Sequence, residues 1–317
     1  MDNLLPEHTR AQFPPTSGGW IKYEGNPVLG NDKLGTCFDV YVIEDGGEYR
    51  MYFSWRPKKS LAVVTGTDGI HWSEPRIILE PNPDSGWELD LNRNCVVKRD
   101  NTYHMWYTGQ CNHHAKGSNS FIGYATSPDG YDWRRMYDQP VLFPERPFEG
   151  ESVMNPCVLW DDSRNVWRMW YSAGESYEPN VFGYAESQDG FNWMKRAANP
   201  IFTANPHLPY EQERVGGCQL LERDGWFYLF YIGYEDIDTA RICIARSPDG
   251  LTRWQRSSAN PIVSPTPGSW DANACYKPSV IWQESNNRWL LWYNGRNLSA
   301  EYVGLVTHDG YDLGFGD

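Results

Sequence analysis

The chain has 317 residues and carries 28 Lys and Arg against 41 Asp and Glu, a formal net charge of −13 at pH 7. That balance argues against a nucleic acid or an anionic membrane as partner, since both need a basic surface. Residues 1–18 lack the apolar stretch of a signal peptide and no run approaches a membrane span; the seven cysteines follow no metal spacing, and the five that recur once per repeat (Cys37, Cys95, Cys157, Cys218 and Cys275) read as small buried hydrophobes kept reduced in the cytoplasm.

A polar extension over 1–19 precedes the segment WIKYEGNPVLG (20–30). A unit of strands then begins. It comprises an apolar strand DVYVI (39–43), a polar turn EDGG (44–47), an alternating aromatic strand YRMYFSW (49–55) and a strand of small and apolar residues, LAVVTGT (61–67). The turn GTDGIHW (66–72) and a short Pro-containing segment, PRIIL (75–79), complete it. The same order returns from NCVV (94–97), PCVLW (156–160), CQLL (218–221) and PSVIW (278–282). Its turns are SPDGYDW (127–133), SQDGFNW (187–193), SPDGLTRW (247–254) and THDGYDL (307–313). The Asp-Gly pairs start at Asp68, Asp129, Asp189, Asp249 and Asp309, spacings of 61, 60, 60 and 60. Asp-Gly supplies the positive backbone angles of a tight turn between strands, and Pro suits an edge strand. Helical periodicity is absent. The pattern predicts an all-β chain, a five-bladed β-propeller of four-stranded antiparallel blades occupying 20–317 as one domain. The fifth repeat ends without its Pro-containing segment, and WIKYEGNPVLG has the Trp and the NPVL that belong there. The N-terminal strand is therefore expected to close the last blade.

In such a ring the start of each first strand and the end of each second strand face one central funnel. The aromatic-acidic pairs Trp87-Glu88, Phe148-Glu149, Tyr210-Glu211 and Trp270-Asp271 recur and read as scaffold. Two residues further in, Asp90, Glu151, Glu213 and Asn273 are read as equivalents, and nearer the strand the repeats diverge into Asp39, Arg93, Asn155, Gly217 and Lys277. Divergence among otherwise similar repeats is where function is sought. The loops after the second strands add Arg56, Gln110, His113, Glu175, Glu235 and Arg296. The pair His113-His114 has no third ligand at a recognisable spacing, so neither a metal nor another cofactor is expected.

The stretch CFDVYVIEDGGEYRMYFSW (37–55) resembles the first blade of the five-bladed propeller glycosidases, the group that holds glycoside hydrolase families 32, 43, 68, 117 and 130. The resemblance implies a carbohydrate substrate and catalysis by carboxyl groups: Asp39 as base or nucleophile, Asp90 as a second carboxylate and Glu151 as general acid. Glu175 and Glu213 stay alternative acids. Trp55 and Tyr276 offer stacking faces, while Arg56, Arg93, Asn155, Arg214, Lys277 and Arg296 offer contacts to hydroxyls or an anion. The implied activity is hydrolysis of a short oligosaccharide or glycoside. A phosphorylase like those of family 130 and a non-catalytic carbohydrate-binding propeller are the alternatives.

Overall fold

The computed structural model describes residues 12–111, 119–175 and 177–316. Each repeat folds as an antiparallel sheet whose strands pair in chain order. Blade one comprises Cys37–Asp45, Glu48–Trp55, Ser60–Gly66 and Arg76–Leu79. In blade five, Ala274–Gln283, Arg288–Asn297 and Ala300–Asp309 are followed by Trp20–Lys22, with Trp20 opposite His308. The N-terminal strand thus completes the last sheet as its outermost strand. Blades two and three, which begin at Asp90–Arg99 and Ser152–Asp161, are linked by one parallel pair, Ser120 with Ser152. No helix among the described residues is long and apolar enough to cross a membrane.

The Asp-Gly turns do two jobs. Four of the five Asp side chains cap their own turn: Asp129 Oδ1 accepts from the N–H groups of Tyr131 and Asp132, and Asp68, Asp189 and Asp249 repeat the arrangement. The Gly carbonyl then accepts a bond from the neighbouring blade. The indole N–H groups of Trp106, Trp170 and Trp292 donate to Gly190, Gly250 and Gly69 at 2.8, 2.8 and 2.9 Å, and the Tyr52 hydroxyl donates to Gly130 at 3.2 Å. The large aromatics that fill the space between blades are thereby satisfied at their polar ends.

The outermost strand departs from expectation. In blades two, four and five the Pro-containing segments form only isolated bridges, Ile122 with Leu142, Ile242 with Val263 and Leu29 with Val303, and the regular edge pairing lies earlier, as at Arg134–Arg135 and Gln255–Arg256, whereas in blades one and three they pair regularly as Arg76–Leu79 and Phe202–Thr203. Before their prolines, Asn26, Asn199 and Asn260 use the side-chain amide as a strand would use its backbone, donating to and accepting from Leu305, Tyr184 and Ile244.

The recurring acidic residues are buried structural centres. Glu88 accepts from Tyr107 at 2.5 Å and Arg135 at 2.8 Å, and Glu149 from Tyr171 at 2.7 Å and Lys195 at 2.8 Å. Glu211 accepts from Tyr231 and, at 2.8 Å, from Arg256. In blade five Asp271 accepts from Tyr293 at 3.0 Å and from Lys22 at 2.6 Å, so the cation arrives on the N-terminal strand and the closure repeats the internal chemistry. Blade one has Phe53 and Glu74 in place of the tyrosine and the cation.

Candidate active site

The inner strand of every blade carries a bulge, and the five residues at it are Asp39, Arg93, Asn155, Gly217 and Lys277. All five have positive φ, from 36° to 53°, a conformation that costs a non-glycine residue free energy and collects at functional sites. The preceding blade holds four of the five bulges in place. Ser54 and Thr108 hydroxyls accept from the N–H of Arg93 and Asn155, Ser172 from Gly217, and Asn294 Oδ1 from Asp39, which closes the ring between blades five and one. The same backbone device thus presents a different side chain from each sheet.

These side chains meet across blades. Asp39 is 2% exposed, its Oδ2 lacks a hydrogen-bond partner, and Arg93 Nε lies 3.7 Å from it. Burial pushes the Asp39 carboxyl above the usual carboxylate range, with Arg93, Lys277 and Arg56 pulling it back and Glu301 pushing it up. Lys277 is 1% exposed and its Nζ has no hydrogen-bond partner among the described residues. A second carboxyl belongs to the group, Glu178 from the loop after the second strand of blade three. Burial raises it too. Arg93 lowers it, as does the hydrogen bond from Tyr234 at 2.5 Å, whereas the Asp39 charge raises it. Arg93 therefore acts on both carboxyls, and the Asp39 charge acts on Glu178.

The remaining sequence candidates form the walls. Arg56 donates to Glu301 at 2.8 Å and lies 4.3 Å over the Phe38 ring, and Tyr276 is also hydrogen-bonded to Glu301. Arg214, 6% exposed, holds Glu213 and Glu175 and donates to the Glu178 carbonyl at 2.9 Å, so it shapes the loop that carries Glu178. Arg296 donates to the Asp238 carbonyl at 2.7 Å and acts on Glu178. The Trp55 indole donates to Leu34 at 2.8 Å, anchoring the loop before blade one.

Asp90 and Glu151 are not brought to the Asp39 carboxyl in the way Glu178 is. Asp90 is buried opposite Gln110, with Lys59 and Arg56 as the cations that act on it. Glu151 is exposed. The reading of Asp90 and Glu151 as equivalents is corrected by the register. Blade two has one residue fewer between its outer carboxylate and its bulge, so the places matching Asp90 are Ser152, Arg214 and Ala274, and Glu151, Glu213 and Asn273 lie one step outside. His113 and His114 fall outside the described residues, and no group of three or more His, Cys, Asp or Glu suited to a metal ion occurs among the described ones.

A closed five-bladed ring with buried carboxyls at one mouth defines the class of carbohydrate-active propellers. Residues 25–314 match the sequence profile of Glycosyl hydrolases family 43, and the chain belongs to that family. It is 23% identical over 315 residues to the A type blood N-acetyl-alpha-D-galactosamine deacetylase of Flavonifractor plautii, covering 81% of this chain and 39% of that protein. The chain thus spans well under half the length of that curated relative. Among solved structures, a thermostable family-43 glycoside hydrolase superimposes with a TM-score of 0.70 at 17% identity, covering 88% of this chain and 91% of that one. The beta-1,2-mannobiose phosphorylase of Listeria innocua does so with a TM-score of 0.69 at 13% identity, covering 90% and 96%. At such identities these two structures speak for the fold alone.

Proposed function

We propose that the chain cleaves a glycosidic bond by acid/base catalysis between Asp39 and Glu178, acting on a short oligosaccharide or glycoside as a hydrolase. The supporting observation is two carboxyls under the influence of Arg93, Asp39 buried and Glu178 half-buried, both raised, with the Asp39 charge acting on Glu178. Glycoside cleavage needs one carboxyl to protonate the leaving oxygen while another attacks the sugar or activates water. Asp39 feels three cations, Arg93, Lys277 and Arg56, which favour its ionised form and suit it as base or nucleophile. Glu178 feels Arg93 and Arg296 and stands on a loop at the funnel, which suits it as the acid that meets the leaving group. Because the two sites interact, their protons leave in steps that belong to the pair.

The cations beside Asp39 also favour a second reading, in which inorganic phosphate replaces water as the attacking group. A panel of oligosaccharides and aryl glycosides, including N-acetylhexosaminides, incubated with and without phosphate separates the readings by product. Hydrolysis releases reducing sugar in phosphate-free buffer. A sugar phosphate formed only with phosphate present selects the phosphorylase. Acetate release without glycosidic cleavage, or no turnover of any member, counts against both.

A further inference from the structure

Arg56 is matched by Glu301 at 2.8 Å, and Arg296 turns toward Asp238 at 3.6 Å. With Glu178 protonated as the acid, Arg93 and Lys277 face only the Asp39 charge, so one positive charge is unmatched. That charge falls on Lys277, whose Nζ is buried without a hydrogen-bond partner or an ion pair among the described residues. A buried ammonium left unpaired is costly, and an anion that enters with a ligand removes the cost. Gly217, the one bulge residue without a side chain, lies next to Lys277 and Asn155: a Cβ built there would sit 2.7 Å from Ile232 Cδ1, 3.5 Å from Lys277 Cδ and 3.6 Å from Asn155 Nδ2, so Ile232 fills the place a side chain would take. Asn155 Oδ1 is likewise buried without a partner and is ready to accept from a hydroxyl.

We propose that the sugar bound beside Asp39 carries its own carboxylate, as a uronic acid does, seated on Lys277 with a neighbouring hydroxyl donating to Asn155. This rests on the proposed function of the same site and names its substrate class. The shared chemistry is a small oxyanion, which free phosphate also supplies, but the adjoining unpartnered acceptor favours an anion joined to a hydroxyl-bearing ring.

Calorimetric titration of the wild-type chain with glucuronate, galacturonate, glucose, galactose, glucuronamide and inorganic phosphate tests it. The acid sugars are expected to bind about tenfold or more tightly than the neutral ones, glucuronamide to bind like glucose, and the preference to vanish in Lys277→Gln. The glucuronamide comparison needs no variant, so a misfolded Lys277→Gln leaves the test intact. Equal binding of acid and neutral sugars, or no binding of either, overturns the proposal. Phosphate binding that depends on Lys277 without any preference for acid sugars also overturns it and assigns the anion to solution. The titration requires no turnover. An acid-sugar preference in a chain that cleaves no glycoside would sink the hydrolase reading and leave this one, and cleavage of neutral glycosides without the preference would do the reverse.

Discussion

Two rings of polar residues lie at different depths of the same sheets, and they behave in opposite ways. The outer ring repeats one solution in four blades: a buried carboxylate, a tyrosine from the second strand and a cation from the outermost strand, all mutually satisfied. The inner ring repeats one backbone conformation in five blades and gives every blade a different side chain, with buried atoms of Asp39, Asn155 and Lys277 left unpartnered. A satisfied group that recurs holds the fold. An unsatisfied group that varies, on a strained and individually braced backbone, is held ready for a ligand.

The sharpest way to break this contrast is one substitution in each ring. Asp39→Asn keeps the shape of the inner ring and removes its base, so activity should fall by about a thousandfold, within the range of acid/base contributions, while the melting temperature stays near that of the parent. A large loss of stability instead would make Asp39 scaffold. Glu211→Ala should do the opposite. It leaves Tyr231 and Arg256 without their buried partner and should cost about 3–5 kcal/mol of stability, read by denaturant unfolding, with turnover per folded molecule little changed. A smaller effect of the other sign sharpens the same point. Asn94, fully buried one residue past the blade-two bulge, has neither amide atom partnered, and Val40 fills the matching place in blade one. Asn94→Val should raise stability by about 1 kcal/mol, because a buried amide without partners is replaced by an apolar group of similar size.

Much of this was legible in the chain itself. The Asp-Gly turns are local chemistry, so their spacing counted the blades, and the orphaned WIKYEGNPVLG foretold the closing strand that delivers Lys22 to Asp271. The divergent positions also stood out, since each lies at a fixed distance from its apolar strand. The one-residue shortening in blade two was harder to see, because it falls between Glu88 and Asp90, ahead of the strand, and leaves the hydrophobic pattern of the strand unchanged. Glu178 and Glu301 carried no signal. One lies in a loop and the other at the start of a third strand, and only the meeting of blades three and five with blade one gives them Asp39 as a neighbour. A tyrosine ending the second strand of blade four, Tyr234, was the nearest clue, a buried hydroxyl in need of an acceptor.

The central claim is that the site is assembled at the bulge ring with Glu178 as its acid, and the pH dependence of kcat/KM for Glu178→Gln and Glu151→Gln tests it most directly. With a glycoside whose leaving group needs protonation, the parent should lose activity as pH rises through the raised Glu178 pKa, since the acid works only while protonated. Glu178→Gln should lack that alkaline limb and regain much of its rate on a glycoside with an acidic phenol as leaving group, while Glu151→Gln keeps the parent profile. An unaltered profile in Glu178→Gln, with the limb lost in Glu151→Gln, would contradict the account.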